Sequence, residues 1–126
     1  MQKRFLRTPW PALLWTGLIF FLLTIQTGTM ESVPLMGIRN IDKLVHVLLF
    51  AIFVWLWCNY VLRNESASKT VFLIIVLAGV AYGAGMEFYQ DRFTTREFEL
   101  GDILADAAGA FTGAVYFWQK NKPLWK

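Results

Sequence analysis

The chain has 126 residues, of which 56% are hydrophobic and 17% aromatic, while only 17% are charged. This balance disfavours an ordinary soluble domain and points to a small membrane protein with no room for a second domain. The net charge of +3 comes from basic residues gathered near the chain ends, so no nucleic-acid partner is needed to explain it.

The apolar residues fall into four blocks, each near the length that crosses a bilayer at ~1.5 Å per residue. The expected fold is all-α, a four-transmembrane-helix bundle forming one integral membrane domain over residues 1–126, with spans at about 10–26, 43–62, 70–89 and 102–118.

Pro9 and Pro11 suit the start of the first helix, where a missing N–H is harmless, and Trp10 and Trp15 suit the membrane interface. A cleaved signal peptide is the competing reading, since Lys3, Arg4 and Arg7 precede the apolar stretch. The stretch is long for that role, and Ile25-Gln26-Thr27-Gly28 lacks a clear small-x-small site, so it is read as a span. Pro34 and Gly37 then make a long loop on the outer side.

The second helix is capped by Asn40 or Asp42 and runs through Trp55 and Trp57 to Arg63. His46 stands four residues beyond Asp42, which places both on one helix face. Cys58, the only cysteine, excludes an intramolecular disulfide and is expected to be buried as a small apolar residue. Asn64-Glu65-Ser66 matches a glycosylation sequon, but it lies in a loop expected to be cytoplasmic and is read as chance.

In the third helix Gly79, Gly83 and Glu87 follow a four-residue step, a stripe of small residues that faces protein and turns Glu87 inward. Gln90 lies three residues later, near the same face. The fourth helix is the least apolar, and Asp102, Asp106, Gly109 and Gly113 share one of its faces. The third and fourth helices are expected to pack through these glycines.

Lys3, Arg4 and Arg7 before the first span, the loop with Arg63, Glu65 and Lys69, and Lys120, Lys122 and Lys126 after the last all fall on one side. The positive-inside bias makes that side cytoplasmic and puts both termini there.

Asp42, His46, Glu87, Gln90, Asp102 and Asp106 then lie within about one helical turn of one level, with Arg92 and Arg96 in the loop above. Ionisable groups in apolar runs are costly and usually mark a site. Three readings stay open. The groups tie helices together, with Lys43 and Arg96 neutralising two acids. They hold a divalent cation through Asp-x-x-x-His and Asp-x-x-x-Asp, although no dedicated cofactor is expected and the metal ligands are unassigned. Or His46, Glu87, Asp102 and Asp106 supply acid-base chemistry while Asp42, Lys43, Gln90, Arg92 and Arg96 bind an anionic lipid headgroup.

These residues resemble the VanZ-like family of small bacterial membrane proteins. Asp42-Lys43-Leu44-Val45-His46 is similar to the family's Asp-Lys-x-x-His signature, and Glu87-Phe88-Tyr89-Gln90 to its Glu-x-x-Gln segment. Arg96 followed by Asp102-Ile103-Leu104-Ala105-Asp106-Ala107-Ala108-Gly109 is similar to its closing block, so the likeness covers about residues 38–113. Thr94-Thr95 stands where the family often has Pro-Gly, and Asp106 where Asn is frequent. The resemblance implies a four-helix protein of the bacterial cytoplasmic membrane whose family takes its name from teicoplanin resistance. It adds a lipid-linked or glycopeptide ligand to the membrane lipids as expected partners. It does not decide between a binding protein and an enzyme, nor the oligomeric state.

Overall fold

The computed structural model describes residues 2–25, 41–64, 68–94 and 96–122. Among these every regular element is helical: α1 (Gln2–Phe5), α2 (Trp10–Thr24), α3 (Ile41–Asn64), α4 (Lys69–Phe93) and α5 (Leu100–Lys120). Pro34, Gly37, Asn40, Glu65, Ser66, Thr95 and Lys126 lie outside the described residues, and with them the outer-loop, Asn40-cap and sequon expectations.

Local chemistry sets the helix ends. Pro9 precedes α2 and Pro11 sits in its first turn, as expected. Ser68 caps α4, its Oγ accepting from the Val71 N–H at 3.4 Å. Asp42 does not cap α3: it stands inside the first turn, and its carboxylate is engaged elsewhere.

By length and composition α3 and α4 can each cross a bilayer unaided, whereas α2, at 15 residues, is a shorter apolar helix. The 21 residues of α5 include Asp102, Asp106 and many small side chains. The expectation of four spans is therefore met on these grounds by two helices.

The surface and interior are inverted relative to a water-soluble bundle. Leu14, Leu104 and Phe111 are each more than 60% exposed, and so are Phe88 and Phe93, while His46, Glu87, Gln90, Asp102 and Asp106 are each at least 99% buried. Exposed apolar surface on this scale marks a contact with membrane or protein. Cys58 is fully buried beside Phe50 and Val54 in the core, as expected of the lone thiol.

The most extensive helix contact is between α3 and α5, and glycine creates it. A Cβ at Gly109 would strike the Val47 carbonyl, and one at Gly113 the Ala51 carbonyl. These two glycines thus seat α5 on the backbone of α3, where the sequence suggested α4 as their partner. The α4 glycines do face α5, as expected: a Cβ at Gly83 would lie 2.6 Å from the Asp106 side chain, and one at Gly79 3.5 Å from Ala110, besides 2.9 Å from Val54 on α3.

α2 is fastened by polar groups along its length. Trp15 Nε1 donates to the Leu49 carbonyl at 2.9 Å, so this indole ties α2 to α3. Trp57 Nε1 donates to Thr16 Oγ1, the Tyr82 hydroxyl donates to the Thr16 carbonyl, and Gln90 Nε2 donates to the Leu23 carbonyl. The first apolar helix frames the bundle.

Contacts at the two ends give the up-and-down order. Arg63 donates to Asn121 Oδ1 at 2.7 Å and Phe72 packs on Trp118, joining the end of α3, the start of α4 and the end of α5. The start of α3, the end of α4 and the start of α5 meet at the opposite end, where the buried acids collect.

Candidate functional site

Close seating of α5 on α3 brings His46 against two aspartates. His46 Nδ1 lies 2.7 Å from Asp106 Oδ1, and Nε2 lies 3.9 Å from Asp102 Oδ2. Asp102 and Asp106 are one turn apart on α5, so they flank the imidazole from successive turns. Gly83 leaves room for Asp106 on the α4 side, and any larger residue there would press on its carboxylate.

Two cations close the mouth of this cluster. Arg96 approaches Asp42 Oδ2 at 3.0 Å and Asp102 Oδ2 at 3.5 Å, while Lys43 Nζ lies 3.2 Å from Glu99 Oε2 and 3.4 Å from Asp102 Oδ1. Asp102 is thus shared by both. Gly101 permits the lysine to lie across the start of α5, since a Cβ there would meet Lys43 Cε at 2.8 Å. Lys43 and Arg96 remain partly exposed while Asp102 behind them is buried, so the positive charges form the rim.

Loop chemistry aims Arg96. The Thr94 hydroxyl donates to the Gln90 carbonyl and accepts from the Arg96 N–H at 3.2 Å. Asp91 Oδ1 accepts from the Phe98 N–H, and Glu87 Oε2 from the Glu99 N–H at 3.1 Å, folding the connection back over the end of α4. Side-chain hydrogen bonds thus tie the described residues on either side of this connection.

Asp42, Lys43, His46, Arg96, Asp102 and Asp106 are therefore brought together, and Glu87 joins them through the Glu99 backbone. Gln90 is buried nearby, but its amide donates to α2. Arg92 lies at the end of α4 on the exposed side. Sequence reasoning missed Glu99 as the partner of Lys43, and Asp91 and Thr94 as loop formers. The signal for Glu99 was its place one helical turn before Asp102.

Among the described residues, His46 Nε2, Glu87 Oε1, Gln90 Oε1 and Asp106 Oδ2 are buried without a hydrogen-bond partner. Such groups are rare in native interiors and call for an explanation. Asp42, His46 and Asp102 also present one ligand atom each within 4.8 Å of one another, the donor set through which this cluster could hold a metal.

The model of the VanZ/LLP1 family matches residues 10–122. The chain belongs to the VanZ family. A Schizosaccharomyces pombe protein described as uncharacterized is 31% identical over 95 residues, covering 72% of this chain and 55% of that protein. The chain spans about half the length of this curated relative. No solved structure matches it. Family membership and the apolar helices α3 and α4 are compatible with a membrane protein.

Proposed function

We propose that this VanZ-family chain is a four-span protein of the bacterial cytoplasmic membrane whose polar cluster, open to the outer face, receives an anionic lipid headgroup. The carrying observation is that Lys43 and Arg96 converge at the rim on one buried carboxylate, Asp102, inside a bundle with an apolar exterior. The acids behind the rim fix the two cations in place before a ligand arrives, which lowers the ordering cost of binding. An arginine held this way can meet a phosphate oxygen with its remaining N–H groups.

An apolar groove supports a lipid over a free anion. It has a volume of about 380 Å³ and is lined by Ala51, Ile52, Trp55, Thr112, Gly113 and Tyr116 of the same helix pair. Thr112 stands six residues beyond Asp106, or ~9 Å along the helix axis. A headgroup at the rim and an acyl chain along the groove can be parts of one molecule.

The α2 and α5 helices complete the four spans in this reading. Exposed Leu14 and Phe21 on α2, and Leu104 and Phe111 on α5, suit lipid contact. Arg63, Lys69 and Lys120 lie at the end away from the acids, which supports cytoplasmic termini. A reporter fused after Lys126 is expected on the cytoplasmic side, and an external signal would overturn this topology. The fission-yeast relative favours a general membrane lipid over a ligand confined to bacterial antibiotics. A lipid-like glycopeptide would use the same rim, and a contribution to teicoplanin resistance would follow from that use.

Native mass spectrometry of the detergent-solubilised chain provides the test. Phosphatidylglycerol should be retained over phosphatidylcholine, and Arg96→Gln and Lys43→Gln should each reduce that retention. Equal retention of both lipids by the unaltered chain would remove the headgroup reading.

A second reading rests on the 2.7 Å contact between His46 and Asp106, the arrangement of a base oriented by a carboxylate. It requires a nucleophile or activated water. Turnover of envelope lipids that disappears in His46→Gln while lipid retention persists would favour it.

A further inference from the structure

The headgroup reading uses the cations at the rim and leaves His46 Nε2 unexplained. That nitrogen is buried, lies 3.9 Å from Asp102 Oδ2, and has no hydrogen-bond partner among the described residues. The other ring nitrogen fixes its character. An ionised Asp106 can only accept, so Nδ1 then carries the proton toward it, and Nε2 faces Asp102 with either a second proton or a lone pair open to a metal ion. A lone pair facing a buried carboxylate oxygen is unfavourable unless a positive species serves both, and a proton, the Arg96 guanidinium 3.5 Å from that oxygen or a metal ion can play this part.

From this juxtaposition we infer that His46 Nε2, an Asp102 oxygen and an Asp42 oxygen form a binding site for a divalent first-row transition ion. One imidazole and two carboxylates suit a borderline cation such as Zn²⁺ or Mn²⁺ better than a purely hard one. The ligand atoms lie within 4.8 Å of one another, and binding would draw all three inward to ordinary metal-ligand distances of ~2.0–2.2 Å. Asp106 plays the part of the outer carboxylate that orients a metal-binding histidine through its second nitrogen.

Arg96 makes the inference specific. Its guanidinium reaches the carboxylates of two of the three ligands, Asp42 and Asp102, so it and a metal ion compete for one place. Arg96 comes from the loop and is 21% exposed, which leaves it a route outward when an ion enters. This competition distinguishes a metal site from a set of structural pairs, because loss of Arg96 weakens the pairs and favours the ion.

The test is metal titration of the purified chain in detergent after stripping with EDTA, using Zn²⁺ and Mn²⁺ alone with no lipid added. One ion should bind per chain. His46→Gln and Asp102→Asn should weaken binding at least tenfold, and Arg96→Gln should tighten it at least threefold. Absence of binding by both the unaltered chain and Arg96→Gln would overturn the inference, as would unchanged affinity in a folded His46→Gln. If His46→Gln and Asp102→Asn do not fold, Arg96→Gln still decides: tighter binding supports the site, and equal or weaker binding overturns it. The inference is independent of the headgroup reading. Phosphatidylglycerol retention without metal binding would count against the ion alone, and metal binding without lipid selectivity would count against the headgroup alone.

Discussion

His46 on α3 and Asp106 on α5 are joined by a 2.7 Å hydrogen bond between side chains that are both at least 99% buried. The bond ties the two most extensively packed helices at the level where their glycine contact begins. Its worth depends on what replaces each partner. Asp106→Asn keeps an oxygen that can accept from Nδ1 and removes a buried charge, so its stability should stay within about 1 kcal/mol of the unaltered chain. Asp106→Leu leaves Nδ1 without an acceptor and should cost about 3 kcal/mol or more, as breaking a buried pair does. Unfolding in detergent monitored by circular dichroism measures both, and equal losses would contradict the hydrogen-bond account.

Gly109 and Gly113 carry the seating of α5 on α3. Alanine at either position drives a methyl into a backbone carbonyl, which cannot move aside as a side chain can. Gly109→Ala and Gly113→Ala should each destabilise by about 1–3 kcal/mol, the usual range for overpacking. A Cβ at Gly83 would lie 2.6 Å from Asp106 Cβ, which moves only with its backbone, as well as from the carboxylate, so Gly83→Ala should disturb the imidazole environment and also destabilise the bundle by about 1–3 kcal/mol. A shift of the His46 ring signals in NMR together with a lowered unfolding midpoint is the expected pattern.

Gln90 joins α4 to α2 through the Leu23 carbonyl at 2.7 Å. Gln90→Leu should lower stability by about 1 kcal/mol, the usual net worth of such a bond. The local effect should be larger than the global one. Hydrogen exchange should speed up in the last turn of α2 and remain little changed along α5, and uniform acceleration would argue against a local tie.

Arg96 bridges two carboxylates from a partly exposed loop, so its removal should change binding more than folding. Arg96 meets both Asp42 and Asp102 through one guanidinium nitrogen, so Arg96→Lys keeps a charge for them but loses the remaining N–H groups that would grip a phosphate, and it should lose most of the phosphatidylglycerol selectivity. Thr94→Val removes the hydroxyl that fixes the loop and should lose part of that selectivity with Arg96 intact. Full selectivity in Thr94→Val would show that the loop hydrogen bonds do not position Arg96.

The sequence by itself determined the helical class, the four apolar segments and most of the polar cluster. Each is written locally: hydrophobic runs give the segments, and four-residue spacing puts Asp42 with His46, and Asp102 with Asp106, on shared faces. The family match across residues 10–122 is likewise a property of the sequence. Only the tertiary structure decided how the faces meet. Which helix a glycine stripe receives depends on the rotation of both helices, and this turned Gly109 and Gly113 toward α3. The aim of a long side chain depends on acceptors contributed by other segments, and this sent Gln90 to Leu23, Trp15 to Leu49 and Asp42 to Arg96. Glu99 became a site residue because the loop folds back on Glu87 and Lys43, a closure that sequence spacing does not encode.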